Sequence, residues 1–469
     1  MQIPIIKGIY TTEQGEFRTR VPRNMVPVAL STGISSGYLQ VAEGIEEKST
    51  GPGICRGAIC WNGTHYRVMG SKLVSVDSEG VISEIGDVTT DALPVSMDYS
   101  FDYLGIVSAN RAYLFDGTTL TRVTDPDLGN VFDGIWIDGF FMYVDDEFAI
   151  VSELSNPFSV LATKYGSSEV DPDPIVAIKK VHNEVHLINR YSIEAFDNIG
   201  GSGFPFARID GSQISRGSVG RKSCEVFADA IAFVGSGRNE QISVWLGLNG
   251  SSTKIASLEL DKELSKLSDE QLSLIEVETQ IKVGSSLLLI HLPSKTFVYD
   301  LEASTKLKEP VWHVLTSNLT DYAEYTYRAK YPIYFNGLWW VSDTETSKLG
   351  VLSHDINSHW GDNVNWEFST PIIYNEGFGA IIHELELVCL QGRSSIGVEA
   401  TVWTSYSTDG EVWSQKKPKL LSDRGHRNKR LVWTRQGHFN NWRVQRFIGT
   451  GPAKLSVSRL EARVESLYR

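Results

Sequence analysis

The sequence predicts an all-β protein: a β-propeller of about seven blades with a small helical insertion, followed by a C-terminal β-sandwich. Three observations predict this. Forty-one Gly, 12 Trp and 18 Tyr against only 5 Met, in 469 residues, favour strands and tight turns over helices. A strand–turn–strand unit recurs about seven times over roughly 310 residues, near the ~40–50 residues that a propeller blade requires. After Asn363 the apolar residues alternate with polar ones, as in half-buried antiparallel strands. Stacked sandwiches are the competing architecture for the repeated units.

Residues 1–53 read as an extended N-terminal arm. Val21-Pro22-Arg23-Asn24-Met25 and Ser35-Ser36-Gly37-Tyr38-Leu39 are turning or extended segments, suited to lying on a neighbouring surface. The propeller is expected over 54–362. Its first unit is Tyr66–Met69, a glycine turn, and Leu73–Val76. Units then follow around Asn110, Asp145-Asp146, Asn189-Arg190 and Gly235-Ser236-Gly237. The clearest is Leu287–Asp300, where an apolar run enters a Pro293-Ser294-Lys295 turn and an aromatic, β-branched run leaves it. Trp312 follows after a polar loop containing Pro310, and Tyr334–Val341 forms the last hairpin. Both faces of a blade are covered by its neighbours, so these strands are apolar runs rather than clean alternations.

One stretch, 259–275, has helical spacing. Leu260, Leu264 and Leu267 share a face, and Ser268-Asp269-Glu270-Gln271 fits a capping box that opens a second short helix. The leucine face is either a packing element on the propeller rim or a subunit contact. From 363 to 469, the runs Leu385–Val388, Val398–Trp403 and Leu455–Ser458 predict the sandwich. A basic loop at Lys416–Arg430 contains Arg424, Arg427, Lys429 and Arg430, a candidate contact for an acidic partner.

The net charge of −13 is unevenly placed. From Asn363 onward there are 15 Lys and Arg against 10 Asp and Glu, a net of +5; the preceding residues hold 29 against 47, a net of −18. The larger, acidic part repels nucleic acid. The four cysteines are too few for a disulfide framework, which predicts free thiols and synthesis in a reducing compartment. No apolar run is long enough for a secretory leader or a membrane span.

Candidate chemistry is sparse. His182 and His186 lie four apart but at a strand and its approach, without a third metal ligand. His354, His359 and Asp355 lack a nucleophile motif, and Gly200-Gly201-Ser202-Gly203 precedes Phe204-Pro205-Phe206 rather than a helix. No catalytic, cofactor or metal site is expected. Ser407-Thr408-Asp409-Gly410-Glu411-Val412-Trp413 is similar to the Asp-box turn of sialidase-type propellers. With the many aromatics, it motivates an alternative reading as a glycan-binding or sialidase-like propeller.

Several segments resemble a known family in the same order along the chain. They include Asn24-Met25, Gly44-Ile45, Tyr66-Arg67-Val68, Val95-Ser96-Met97, Leu288-Leu289-Ile290-His291-Leu292-Pro293 with Val298-Tyr299-Asp300, Pro310-x-Trp312 and Thr408-Asp409-Gly410. The chain thus resembles the packaged-DNA stabilisation proteins, or tail hubs, of short-tailed phages of enteric bacteria. The resemblance implies a non-enzymatic virion protein that forms a homohexamer below the portal and its adaptor ring and is assembled in the host cytoplasm. It further implies docking sites for the tail needle and tailspikes, and a channel that passes or seals DNA without sequence-specific binding.

Overall fold

The computed structural model describes residues 2–3, 5, 21–29, 37–154, 156–168, 170–201, 203–282, 284–319, 324–390, 400–422, 428–450 and 453–467. Seven antiparallel sheets follow one another around a ring. The first six span 55–87, 96–122, 133–167, 175–208, 217–254 and 276–315. The first strands of neighbouring sheets touch all the way round, from Cys55–Trp61 through Ser96–Tyr99, Asp133–Ile137, Ile175–Val181, Cys224–Phe227 and Glu276–Lys282 to Ala329–Phe335 and back. This closed ring is the propeller, with seven blades.

The last blade is completed from the other end of the chain. Ala329–Phe335, Leu338–Asp343 and Lys348–Ser353 supply three strands, and Gly44–Thr50 pairs antiparallel with Lys348–Ser353 as the fourth. Closure by a distant strand satisfies a ladder edge that would otherwise be open. Fully buried Arg67 of blade 1 reinforces the seam. Its guanidinium donates to Ser342 Oγ at 2.7 Å and to the carbonyls of Tyr331 and Trp340 in blade 7.

The sandwich also recruits the N-terminal region. One sheet runs in the order Met25–Ala29, Gly37–Val41, Ser456–Ser466, Ala380–Leu390, Leu431–Thr434. The other runs Trp366–Ser369, Trp442–Gly449, Thr401–Ser407, Lys417–Leu420. Ile3, Met25 and Leu39 join Trp366, Leu385, Trp433, Phe447 and Leu460 in one core. Gly449 is required there, because a Cβ at that position would lie 2.0 Å from the Trp366 ring.

The extended arm expected over 1–53 is therefore corrected in its described part. Met25–Ala29 and Gly37–Val41 are sandwich strands, and Gly44–Thr50 is a propeller strand. Met25–Ala29 alternates buried and half-buried residues, as a strand on a sheet with one covered face does. Gly37–Val41 and Gly44–Thr50 each pair with a strand hundreds of residues away, so no local pattern marks them as strands of a particular sheet.

The helical stretch forms as its spacing predicts. Helix α1 covers Leu258–Leu264 with Ser257 as N-cap. Helix α2 covers Asp269–Ser273 and has the expected Ser268/Gln271 capping box. A third helix, α3 at Leu301–Leu307, replaces the polar loop expected before Pro310. Asp300 caps it by accepting from the Ala303 amide at 2.9 Å, and Lys308 ends it in the left-handed region at φ 60°. Ala303 and Leu307 enter the sandwich core, so blade 6 carries the wedge on which the sandwich rests.

Candidate functional site

The joint between blade 6 and the sandwich brings together residues from distant parts of the chain. Pro22-Arg23-Asn24 runs between the last strand of blade 6 and Trp366–Ser369. The Arg23 amide donates to the Glu367 carbonyl at 2.8 Å and the Glu367 amide returns a bond at 3.0 Å. On the other side, the Asn24 amide donates to the Val314 carbonyl and the Val314 amide to the Pro22 carbonyl, each at 2.8 Å. Asn24 adopts φ 52°, which an asparagine tolerates better than most residues. Its Oδ1 accepts from the Thr316 amide and its Nδ2 donates to the Asn365 carbonyl. A three-residue segment thus stitches the propeller sheet to the sandwich sheet.

The Arg23 side chain is the charged centre of this joint. Its Nε donates to Glu324 Oε1 at 2.8 Å, and its Nη2 pairs with Glu259 at the start of α1. Lys295, from the turn of the Leu287–Asp300 hairpin, pairs with Glu324 and lies 3.8 Å from Glu263. Burial by itself would raise the Glu324 pKa, but Arg23 and Lys295 outweigh it and push the carboxyl down to about 2. Glu259 is likewise held below its usual range: its burial is overcome mainly by Arg23. Burial disfavours the Arg23 charge, and the two carboxylates more than reverse that. Partners from four distant stretches are thereby locked together in low dielectric.

Residues 1–357 match the protein family described as bacteriophage P22 Gp10, β-propeller, and residues 365–465 match the family described as bacteriophage P22 Gp10, β-sandwich. This chain belongs to the P22 Gp10 family. It is 26% identical over 473 residues to the tail hub protein gp10 of Salmonella phage P22, covering 96% of this chain and 95% of that protein. Among solved structures it is similar to the WD40 β-propeller domain of Doa1 (12% identity, TM-score 0.41, 66% of this chain and 97% of that one). It is also similar to the Neurospora crassa Pan2 WD40 domain (9% identity, TM-score 0.41, 66% and 94%).

In this Gp10-family chain the leucine face of the helical stretch is not available to a partner. Leu260 and Leu264 are buried, and Leu267 is half-buried, against a core with Val234, Val277, Phe297 and Trp312. Of the two readings of Leu260, Leu264 and Leu267, the subunit contact gives way to intramolecular packing between blades 5 and 6. An amphipathic helix of this length looks the same from sequence in both settings. In the basic loop, Arg424 and Arg427 lie outside the described residues. Lys429 and Arg430 are exposed, and Arg430 Nε donates to Glu386 Oε1 at 2.8 Å.

The histidines that invited chemical readings are packed into the fold or separated. His291 is buried, with Nδ1 2.9 Å from Thr296 Oγ1 and Nε2 3.0 Å from Glu278. His182 is exposed in a turn, whereas burial pushes His186 down to about 4. His354 pairs with Glu43, while His359 is buried against Ser317 and pushed down to about 3 by that burial. The turn at Ser407–Trp413 belongs to the sandwich, not to a blade. Its Asp409 accepts from the Glu411 and Val412 amides, which makes it a self-capped turn. Among the described residues, no group of three or more His, Cys, Asp or Glu side chains is placed to hold a metal ion. Cys55 and Cys224 are buried and Cys60 and Cys389 half-buried, all as free thiols.

Sequence reasoning missed Arg23, Glu324 and Lys295 as a unit. Arg23 sat in a stretch read as extended, 301 residues from Glu324. The available signal was weak: Pro22 before a charged residue and an asparagine, followed by an apolar run.

Proposed function

We propose that this chain is a phage tail hub, a structural virion protein without enzymatic activity. In this reading it attaches below the portal and adaptor ring as a homohexamer, helps close the channel so that packaged DNA is retained, and offers docking sites to the tail needle and tailspikes. It acts in the virion tail and is assembled in the host cytoplasm. The observation that carries the reading is the ordered match of both halves to one family, with a tail hub protein aligned over 96% of the chain.

Two physical features support it. The stitched joint at Pro22–Asn24 makes the propeller and sandwich a single load path, as a plug under internal pressure requires. The acidic residues before Asn363 disfavour DNA adhesion, so that DNA slides past or is held back without being bound. The test is co-sedimentation of the purified full chain with portal–adaptor complexes. Stoichiometric binding supports the reading; no binding from a folded, stable monomer contradicts it.

A further inference from the structure

A cleft of about 210 Å³ lies where blade 6, blade 7 and the sandwich meet. Its walls are mainly apolar: Leu287, Leu289 and Val298 of blade 6, Leu352 of blade 7, and Val26 and Val28 of the sandwich strand Met25–Ala29. The two faces of that strand have different tasks. Met25 and Ala29 enter the sandwich core, whereas Val26 and Val28 line the cleft. At the edge, Glu43 is paired with Lys282 and, at 3.0 Å, with exposed His354. The Lys282 charge is thus already matched, and the cleft does not call for an ionised ligand.

Two polar side chains interrupt this apolar lining. Gln280 is 4% exposed and His313 1%. Among the described residues, neither Gln280 Nε2 nor His313 Nδ1 has a hydrogen-bond partner. Burial, and then the Lys282 ammonium, push His313 down to about 3, so its ring is neutral at neutral pH. A buried amide or imidazole nitrogen left unpaired is costly, and a ligand group that pairs it gains stability. A hydroxyl suits both nitrogens. It accepts from the Gln280 amide, and it either donates to or accepts from His313 Nδ1, whichever tautomer is present. Gln280 pairs with Leu287 in the next strand, and His313 pairs with Val298, which pairs in turn with Leu289. The two polar residues are therefore three strands apart, roughly 14 Å at about 4.8 Å per strand. A single small group does not reach both, but a slender molecule lying along Leu287, Leu289 and Val298 does. We propose that this cleft binds an uncharged, slender aliphatic molecule with a hydroxyl at each end, one on Gln280 and one on His313. A dry apolar cavity of about 150 Å³ takes benzene, so this cleft takes roughly eight non-hydrogen atoms. The bound molecule touches blades 6 and 7 and the sandwich at once, so it stabilises their joint.

The test is a ligand-observed NMR titration of the full chain with hexane-1,6-diol, and with hexan-1-ol, which has a hydroxyl at one end only. The diol is expected to bind at about 1 mM or tighter, and the mono-alcohol about three- to tenfold more weakly. H313L and Q280L are each expected to bring the diol to the level of the mono-alcohol, a result that a merely structural role for these residues would not produce. V28W fills the cleft from its half-buried strand and is expected to abolish binding. Unchanged melting curves show that the variants fold, and the diol is expected to raise the melting temperature of the parent chain. No binding of either compound at about 10 mM means that water alone fills the cleft, and overturns the proposal. Binding unchanged in V28W, or a diol advantage kept in H313L or Q280L, overturns it as well.

Discussion

Arg23 and Glu324 form an ion pair, Nε to Oε1 at 2.8 Å, in which the arginine is 1% and the glutamate 10% exposed. The pair fixes the N-terminal segment against the propeller, and Glu259 completes its neutralisation from α1. Removing the arginine leaves Glu259 in a dry joint without its paired cation and Glu324 with Lys295 alone. R23M is expected to destabilise the protein by about 3–5 kcal/mol, the range for breaking one side of a buried pair. Chemical denaturation checks this; a loss below about 1 kcal/mol would show that solvent replaces the arginine.

The same joint gives the protein an acid-sensitive component. Glu324 titrates at about 2 in the folded state and about 4.3 unfolded. A depressed carboxyl pKa stabilises the fold above the unfolded value, and that stability is lost as pH falls from about 5 towards 2. The buried histidines His313 and His359, pushed down by burial, have the same sign but begin to act below about 6.5. Comparison with E324Q separates the two. Below pH 5 the melting temperature of the parent chain is expected to fall more steeply than that of E324Q. Parallel curves would contradict the assignment.

Leu264 is a core residue. L264A is expected to cost about 2–5 kcal/mol in the monomer, as for other large-to-small core changes, and L264E to prevent folding. A folded, normally stable L264E chain would place this face on the surface after all.

The N-terminal region is structural. Deleting residues 1–53 removes the closing strand Gly44–Thr50 and three sandwich strands, Gln2–Ile3, Met25–Ala29 and Gly37–Val41. Hydrogen exchange at Lys348–Ser353 is expected to become fast, and cooperative unfolding to be lost. A truncated chain with unchanged protection would mean that the ring closes without this strand.

Much of this fold was legible locally. The hairpin at Leu287–Asp300 pairs in the register its turn dictates, Leu287 opposite Asp300 and His291 opposite Thr296. Ser268 and Gln271 cap α2 as their spacing requires. What was not legible depends on distant partners. Helix α3 is seven residues long, too short for periodicity to reveal, and its Leu307 packs on a sandwich more than fifty residues ahead. Met25–Ala29 and Gly44–Thr50 lie close in sequence yet enter different domains, a choice set by which ladder edge stands open. The leucine face of α1 was visible as a face, but an apolar stripe does not say whether its cover is the same chain or another.

The most direct test of the hub reading is DNA retention in phage particles assembled without this protein. Heads are expected to package DNA and then lose it, with retention restored by adding the purified chain. Particles that keep their genome in its absence would contradict the account.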